Sequence, residues 1–326
     1  MIAIPAIAQE GPSSGLRPID LRTDVAPVMS LLRLAFGAAL ESDSRPLLQP
    51  GPSLAQPNRG SLASLLGRGM PAGFVWEEAG RIVGNVSVLT TSLPGRYLVA
   101  NVAVHPNYRR RGIARRLMLQ VQQAAQANAG REILLQVDQQ NDSAIQLYAS
   151  LGYEWLGAMT TWQVAHHLLQ SLAAPAGLYR LRRLGSDEWR AAYALDRQVL
   201  PADLHWPQPV REDAYKQGLW RWMSNALAAR QVETWVAADD DDHQLLALAA
   251  LTSEWGRAHS LALRVAPAGQ GQVERPLLAW LIRRVQQAAR RPVRVDHPAG
   301  DDLVNSLLQE ANFRPHRTLA VMKQKL

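Results

Sequence analysis

An arginine at 109, a glycine at 112 and an alanine at 114 stand between two apolar patterns of different period. Leu98, Ala100, Val102 and Val104 alternate and stop at Pro106, whereas Ile113, Leu117, Val121, Ala124 and Ala125 follow a helical spacing as far as Gly130. The spacing predicts a strand, a loop and a helix whose first free N–H groups an anion can approach closely, because the residues there are small. Arg109, Arg110, Arg111 and Arg115 add positive charge and forked donors. The chemistry of such a loop is to cradle a pyrophosphate. A merely solvated basic surface is the alternative, and it leaves the Gly and Ala spacing unexplained.

Around this loop the chain reads as alternating strands and helices. Residues 16–21 form a strand, and Asp24 caps a helix through Val28, Leu31, Leu32, Leu34 and Phe36. Residues 41–73 are irregular and rich in Pro, Ser and Gly, with a short helical piece at 61–66. Strands 73–77 and 81–91 flank a turn at 78–80, and 132–138 is the nearly continuous apolar strand expected where both faces of a sheet are covered. Asn141 caps a helix over 142–151, Gly152 ends it, and 153–165 supplies the last strands of a unit spanning 16–167. Residues 1–15 read as a flexible tail, with neither a basic start nor an apolar span, and 168–177 as a linker.

Residues 178–326 repeat the order. A strand at 179–184, a helix from Ser186 to 200, a Trp-bearing helix over 211–230, strands at 234–238 and 245–251, and a strand at 258–265 lead to a second proline, Pro267. Val104-His105-Pro106 can be laid on Val265-Ala266-Pro267, and Val137-Asp138 on Val295-Asp296. Gln270, Val273 and Arg275 then fall where the first copy has Arg109, Gly112 and Ala114, and Leu308 falls where it has Tyr148. A β-branched Val, the negative Glu274 and Pro276, which lacks an N–H, all oppose anion binding, so the second copy is expected to be degenerate.

Composition bounds these readings. The chain has 326 residues, a formal charge of +7, no cysteine, and only three lysines (Lys216, Lys323, Lys325) among its 35 basic residues. Without cysteine there is no disulfide, thiol nucleophile or thiolate metal site. His166-His167 lacks a second cluster, so no metal is expected. The arginines are spread over both halves without a DNA- or RNA-reading motif, which weighs against nucleic acid.

Arg109-Arg110-Arg111-Gly112-Ile113-Ala114, with Val104-His105-Pro106 before it and Asn141 and Tyr148 after it, resembles the signature of the GNAT superfamily of acyl-CoA-dependent N-acyltransferases. The resemblance covers nearly the whole chain, as two tandem α/β folds, each a mixed central sheet flanked by helices. It implies that acetyl-CoA is the co-substrate. Val102, Ala103 and Val104 would then hold the pantetheine arm like an added strand, the Val102 N–H facing the thioester oxygen. The N–H groups of Arg111, Gly112, Ile113, Ala114 and Arg115 would take the pyrophosphate, with Arg109 and Arg110 adding charge. Asn141 and Ala144 would lie along the arm, and the 41–73 loop would select the acceptor. Tyr148, two helical turns after the Asn141 cap, would remain protonated at pH 7 and serve as the acid; a core tyrosine is the alternative.

The resemblance also exposes a departure. Where many members carry Glu on the central strand this chain has Asn101, and an amide takes no proton. Neutralising a lysine-like amine at pH 7 costs about 4.6 kcal/mol, against about 1.4 kcal/mol for an α-amino group near pKa 8. Asn101 therefore favours an amine of low pKa, or a base acting through water, for which Glu41, Asp43, Glu77 and His105 are candidates. The function expected is transfer of acetyl from acetyl-CoA to a primary amine of a small molecule or peptide, by direct attack in a ternary complex. The protein would be cytoplasmic, without membrane contact, and a monomer or homodimer. A non-catalytic acyl-CoA sensor or scaffold is the competing reading.

Overall fold

The computed structural model describes residues 14–37, 70–174, 180–206, 209–239 and 244–326. The 61–66 helical piece and most of the 41–73 loop lie outside the described residues. Among the described residues twelve strands form one sheet in the order β1-β2-β3-β4-β5-β12-β6-β11-β10-β9-β8-β7. The first half supplies β1 (Gly15–Pro18), β2 (Gly73–Glu78), β3 (Arg81–Thr90), β4 (Arg96–Val104), β5 (Glu132–Asp138) and β6 (Glu154–Val164). The second supplies β7 (Arg180–Arg183), β8 (Arg230–Ala238), β9 (Leu245–Glu254), β10 (His259–Val265), β11 (Val293–Pro298) and β12 (Arg314–Lys325).

The sheet is mixed in both halves: β4 runs parallel to β5, and β10 to β11, while their other neighbours are antiparallel. The halves exchange their last strands. Strand β12 pairs with β5 of the first half (Leu319 opposite Asp138), and β6 pairs with β11 of the second (Thr161 opposite Asp296). Strands β12 and β6 then pair with each other at the centre. The strand that closes the first half's sheet therefore comes from the end of the chain.

Seven helices lie on the sheet among the described residues: α1 (Val25–Phe36), α2 (Ile113–Ala127), α3 (Asp142–Ala149), α4 (Trp189–Val199), α5 (Leu219–Leu227), α6 (Glu274–Gln286) and α7 (Asp302–Glu310). In α2 the buried residues Ile113, Leu117, Met118, Val121, Gln122 and Ala125 recur at helical spacing and face the sheet with α3, Tyr97, Val99, Ile133 and Leu135. On the opposite face Val28, Leu31 and Leu32 of α1 cover Val75 and Ala103. Each fully buried Leu contributes about 1.5–3 kcal/mol, so the two faces clamp β4 between them.

Three local expectations are corrected. Asp24 precedes α1 but makes no side-chain cap, because Arg17 takes both its oxygens at 2.6 and 3.0 Å. The helix after β7 starts at Trp189 rather than at Ser186, as the Glu188 carboxylate accepts from the Gly185 N–H and from Arg182. The expected helix over 211–230 is split: a 3-10 turn at Glu212–Tyr215 ends in extended backbone at Lys216, and α5 starts only after Gly218.

Across the junction, Asp203 of the second half accepts from Arg96 Nη2 of β4 at 2.5 Å and from Lys323 of β12. Arg96 also donates to Glu132 of β5, at 2.5 Å. Burial opposes ionisation of Asp203, yet Lys323 and Arg96 together hold its carboxyl below the usual range. No helix among the described residues is long and apolar enough to cross a membrane.

Candidate active site

Strand β4 breaks its register against β3 in the middle. Gly84 faces Val104 and Asn85 faces Ala103, but Ser87 faces Ala100, so Asn101 and Val102 oppose a single residue. This is a β-bulge, and Asn101 at its head has φ +55°. Its Nδ2 donates to Ser87 Oγ at 3.2 Å, while the buried Asn85 donates from Nδ2 to the Asn101 carbonyl at 2.8 Å.

Strand β4 also leaves β5. The two pair in parallel only from Arg96 opposite Glu132 to Val99 opposite Leu135. Beyond Val99 residues 100–104 have no β5 partner, whereas β5 continues to Asp138 against β12. Val102, Ala103 and Val104 thus border a wedge that an extended chain can enter by strand-like hydrogen bonding.

The arginine loop stands at the mouth of this wedge. A 3-10 turn (Pro106–Tyr108) is followed by Arg109 in extended conformation, Arg110 at φ +63° and Gly112 at φ +76°, after which α2 begins at Ile113. A Cβ built on Gly112 meets nothing within 4 Å, so glycine is needed for the left-handed backbone, not for space. At Gly84 the need is the reverse: a Cβ there would lie 2.8 Å from Ile113 Cγ2, so the glycine lets α2 settle on β3. Arg109, Arg110 and Arg115 are exposed. Arg109 Nε donates to the Val104 carbonyl at 3.3 Å, and Arg115 Nη1 to Ser150 Oγ at 2.8 Å, while Arg111 lies over the Tyr108 ring at 4.8 Å. Ile113 is buried in the core and Ala114 is half-buried. Left-handed Gly112, the opening turn of α2 and the exposed cations fit a pyrophosphate at this corner.

Helix α3 follows β5 on the same side of the wedge. Asn141 caps it, Oδ1 accepting from the Ala144 N–H at 3.2 Å. Tyr148 is 5% exposed, and burial pushes its phenol up to about 12. Tyr153 packs beside it at 5.9 Å between ring centroids, and its hydroxyl is buried.

The two candidate bases among the described residues, Glu77 and His105, do not meet at the bulge. Glu77 stands on β2, with β3 between it and β4, and accepts from Arg17 Nε at 2.8 Å. His105 Nδ1 accepts from the Asn107 N–H at 3.3 Å and so shapes the 3-10 turn. Glu41 and Asp43 lie outside the described residues. Sequence reading missed Asn85 and Ser87; their signal was two polar residues inside the apolar run from Ile82 to Val88.

The second half repeats these parts with different backbone. After Val265 come a 3-10 turn (Pro267–Gly269), extended Gln270 and left-handed Gly271 (φ +79°), matching Arg109 and Arg110. Val273 precedes α6 at φ −104°. The Gly271 N–H donates to Glu274 Oε1 at 2.9 Å, and those of Gln272 and Val273 to the Gly269 carbonyl. Among the described residues, the N–H groups of Arg110, Arg111 and Gly112 make no such bonds. Strands β9 and β10 pair from Ser260 to Val265 without a bulge. Arg264, opposite Leu248 as Ala103 is opposite Asn85, is tied to buried Asp196 at 2.8 Å. Leu308 is fully buried at the place of Tyr148.

Residues 39–153 match the model of the Acetyltransferase (GNAT) family. This segment is similar to the GNAT acetyltransferases. The peptidyl-lysine N-acetyltransferase YiaC of Escherichia coli is 33% identical over 106 residues, covering 30% of this chain and 66% of YiaC. The N-alpha-acetyltransferase RimI of Mycobacterium tuberculosis is 36% identical over 82 residues, covering 24% of this chain and 50% of RimI. The chain thus spans between half and two thirds of these curated relatives. Over its whole length it shares the fold of a GCN5-related N-acetyltransferase from Sphaerobacter thermophilus (TM-score 0.58, 14% identity, 95% of each chain). It also shares that of a tandem GNAT protein from the clavulanic acid biosynthesis pathway (TM-score 0.50, 19% identity, 96% of this chain and 98% of the other).

Proposed function

We propose that the first half transfers an acetyl group from acetyl-CoA to a primary amine, by direct attack with both substrates bound. The observation that carries this reading is the meeting, at the C-terminal end of β4, of the β4–β5 wedge and the left-handed arginine loop. Acetyl-CoA supplies the acetyl thioester. Val102, Ala103 and Val104 bind its pantetheine arm along the open edge of β4, and Asn141 and Ala144 flank it. Arg109 and Arg110, with the backbone from Arg111 through Gly112, Ile113 and Ala114 to Arg115, hold the pyrophosphate. The Val102 N–H polarises the thioester carbonyl. Tyr148, protonated across the physiological range, delivers the proton to the departing thiolate.

Asn101 directs the choice of acceptor. With an amide at the bulge and Glu77 held by Arg17, an amine that arrives largely neutral is favoured, an α-amino group or another amine of pKa near 8 over a lysine side chain; a base acting through water is the alternative. That YiaC is named for peptidyl lysine and RimI for N-alpha amines makes both worth testing side by side. The second half holds no second acetyl-CoA, since its loop spends three N–H groups on its own acceptors. It closes the first half's sheet through β12.

The test is thiol release from acetyl-CoA with peptides bearing a free N-terminus, peptides bearing only lysine amines, and small amines. Release with free N-termini at a rate exceeding that with lysine supports the reading. Tight acetyl-CoA binding with no release across the panel would instead establish the sensor reading, which Asn101 motivates.

A further inference from the structure

Asn85 is fully buried on β3 and does two unequal things. Its Nδ2 donates to the Asn101 carbonyl at 2.8 Å, and its Oδ1 is buried with no hydrogen-bond partner among the described residues. A stranded amide oxygen costs stability, so the residue serves the fold worse than a leucine of similar size would. The second half supplies that comparison. Leu248 faces Arg264 as Asn85 faces Ala103, and there the strand is unbulged. The buried donor and the bulge thus occur together in one half and are missing together from the other.

The planarity of the peptide bond gives the donor its consequence. The Asn101 carbonyl and the Val102 N–H belong to one trans peptide and point in opposite directions. Asn85 draws the carbonyl toward β3, so the N–H of Val102 is turned away from β3, toward the side on which β4 and β5 have parted. Asn101 at φ +55° is in the left-handed region, which Asn enters more readily than most residues, and the Asn85 bond to its carbonyl helps hold it there.

We infer that Asn85 is a positioning residue that fixes the bulge peptide of Asn101 and Val102, and so aims the Val102 N–H at the thioester carbonyl. This rests on the proposed acetyl-CoA reading. Calorimetry and isotope-edited infrared difference spectra of the full-length protein with [1-13C]acetyl-CoA separate the two. In the unaltered chain the thioester carbonyl band moves to lower wavenumber on binding. Asn85→Leu keeps the dissociation constant within about threefold, because the arginine loop and the rest of the wedge are untouched, but loses more than half of that displacement. Adding Asn101→Gly, which adopts positive φ without help, restores part of it. Should the Leu variant not fold, Asn85→Ser, whose hydroxyl is too short to reach the carbonyl, gives the same loss. A displacement unchanged in Asn85→Leu or Asn85→Ser overturns the inference and leaves the acetyl-CoA reading standing. No binding by the unaltered chain overturns both.

Discussion

Gly112 and Val273 occupy the same place, one residue before a sheet-packed helix, in opposite backbone conformations: φ is +76° at Gly112 and −104° at Val273. The left-handed turn two residues earlier is kept in both copies, at Arg110 and Gly271. What differs is the last peptide before the helix, and with it the direction of the N–H groups. In the second copy Glu274, 4% exposed, places its own carboxylate on the Gly271 N–H. An internal anion stands where the first copy has the side chain of Ile113.

That carboxylate has a structural role open to measurement. Glu274→Ala removes a charge-assisted bond to a backbone donor and is expected to lower stability by about 1–2 kcal/mol in denaturant unfolding. It should not create a second acetyl-CoA site, since the Gln272 and Val273 N–H groups stay on Gly269. A titration of the variant showing two sites would refute this.

Tyr148 provides two pH-dependent readouts. With its phenol pushed up to about 12 by burial, no loss of activity from its ionisation is expected below about pH 10, and Tyr148→Phe should lower kcat by about 10²-fold or more at unchanged acetyl-CoA affinity. Its folded-state pKa is raised above the ordinary value of 10.0, so its contribution to stability is complete below pH 10 and is lost as pH rises toward 12, by about 2–3 kcal/mol. Stability that held flat across that window would count against a buried phenol.

Asp203 ties the halves together. Asp203→Ala leaves Arg96, 8% exposed, and Lys323 sharing Glu132 without the second carboxylate, and should cost about 1–2 kcal/mol. Because the Asp203 carboxyl is held below its ordinary 3.8, its contribution is present above that pH and is lost as pH falls through the lower, folded-state value. Acid unfolding of the variant should therefore begin from a lower plateau and show a shallower fall below about pH 4. Indistinguishable acid curves for variant and parent would rule the tie out.

Cutting the chain after residue 167 removes β12 and exposes the edges of both β5 and β6. The fragment is expected to aggregate, or to pair with a second fragment, instead of forming a stable monomer. Light scattering on the purified fragment decides, and a monomer melting as sharply as the full chain would contradict the exchange of strands.

Much of this was legible from residue patterns, because the patterns are local. The alternation up to Val104, the Gly at 112 and the helical stripe from Ile113 each report on backbone within a few residues. The same locality explains why the equivalences of Val265 with Val104 and of Leu308 with Tyr148 could be found by laying one copy on the other from Pro267 onward. The exchange of β6 and β12 had no such signature: either apolar strand satisfies a neighbour in either sheet, and the choice is made by contacts between residues more than 150 apart, such as Thr160 with Thr318. Asn85 was hidden for another reason. A polar residue within a strand is informative only when its partner is known, and that partner is a backbone carbonyl on the next strand. Glu77 looked available in sequence because Arg17, sixty residues away, could not be placed against it.

Calorimetric titration of the full-length chain with acetyl-CoA tests the central claim most directly, with Gly112→Val titrated beside it. Since no atom lies within 4 Å of the added Cβ, the substitution acts through the left-handed backbone, which a β-branched residue resists by about 1–2 kcal/mol or more. One site per chain in the parent, weakened at least tenfold in Gly112→Val, is the predicted result. Two sites per chain, or a single site indifferent to Gly112→Val, would contradict it.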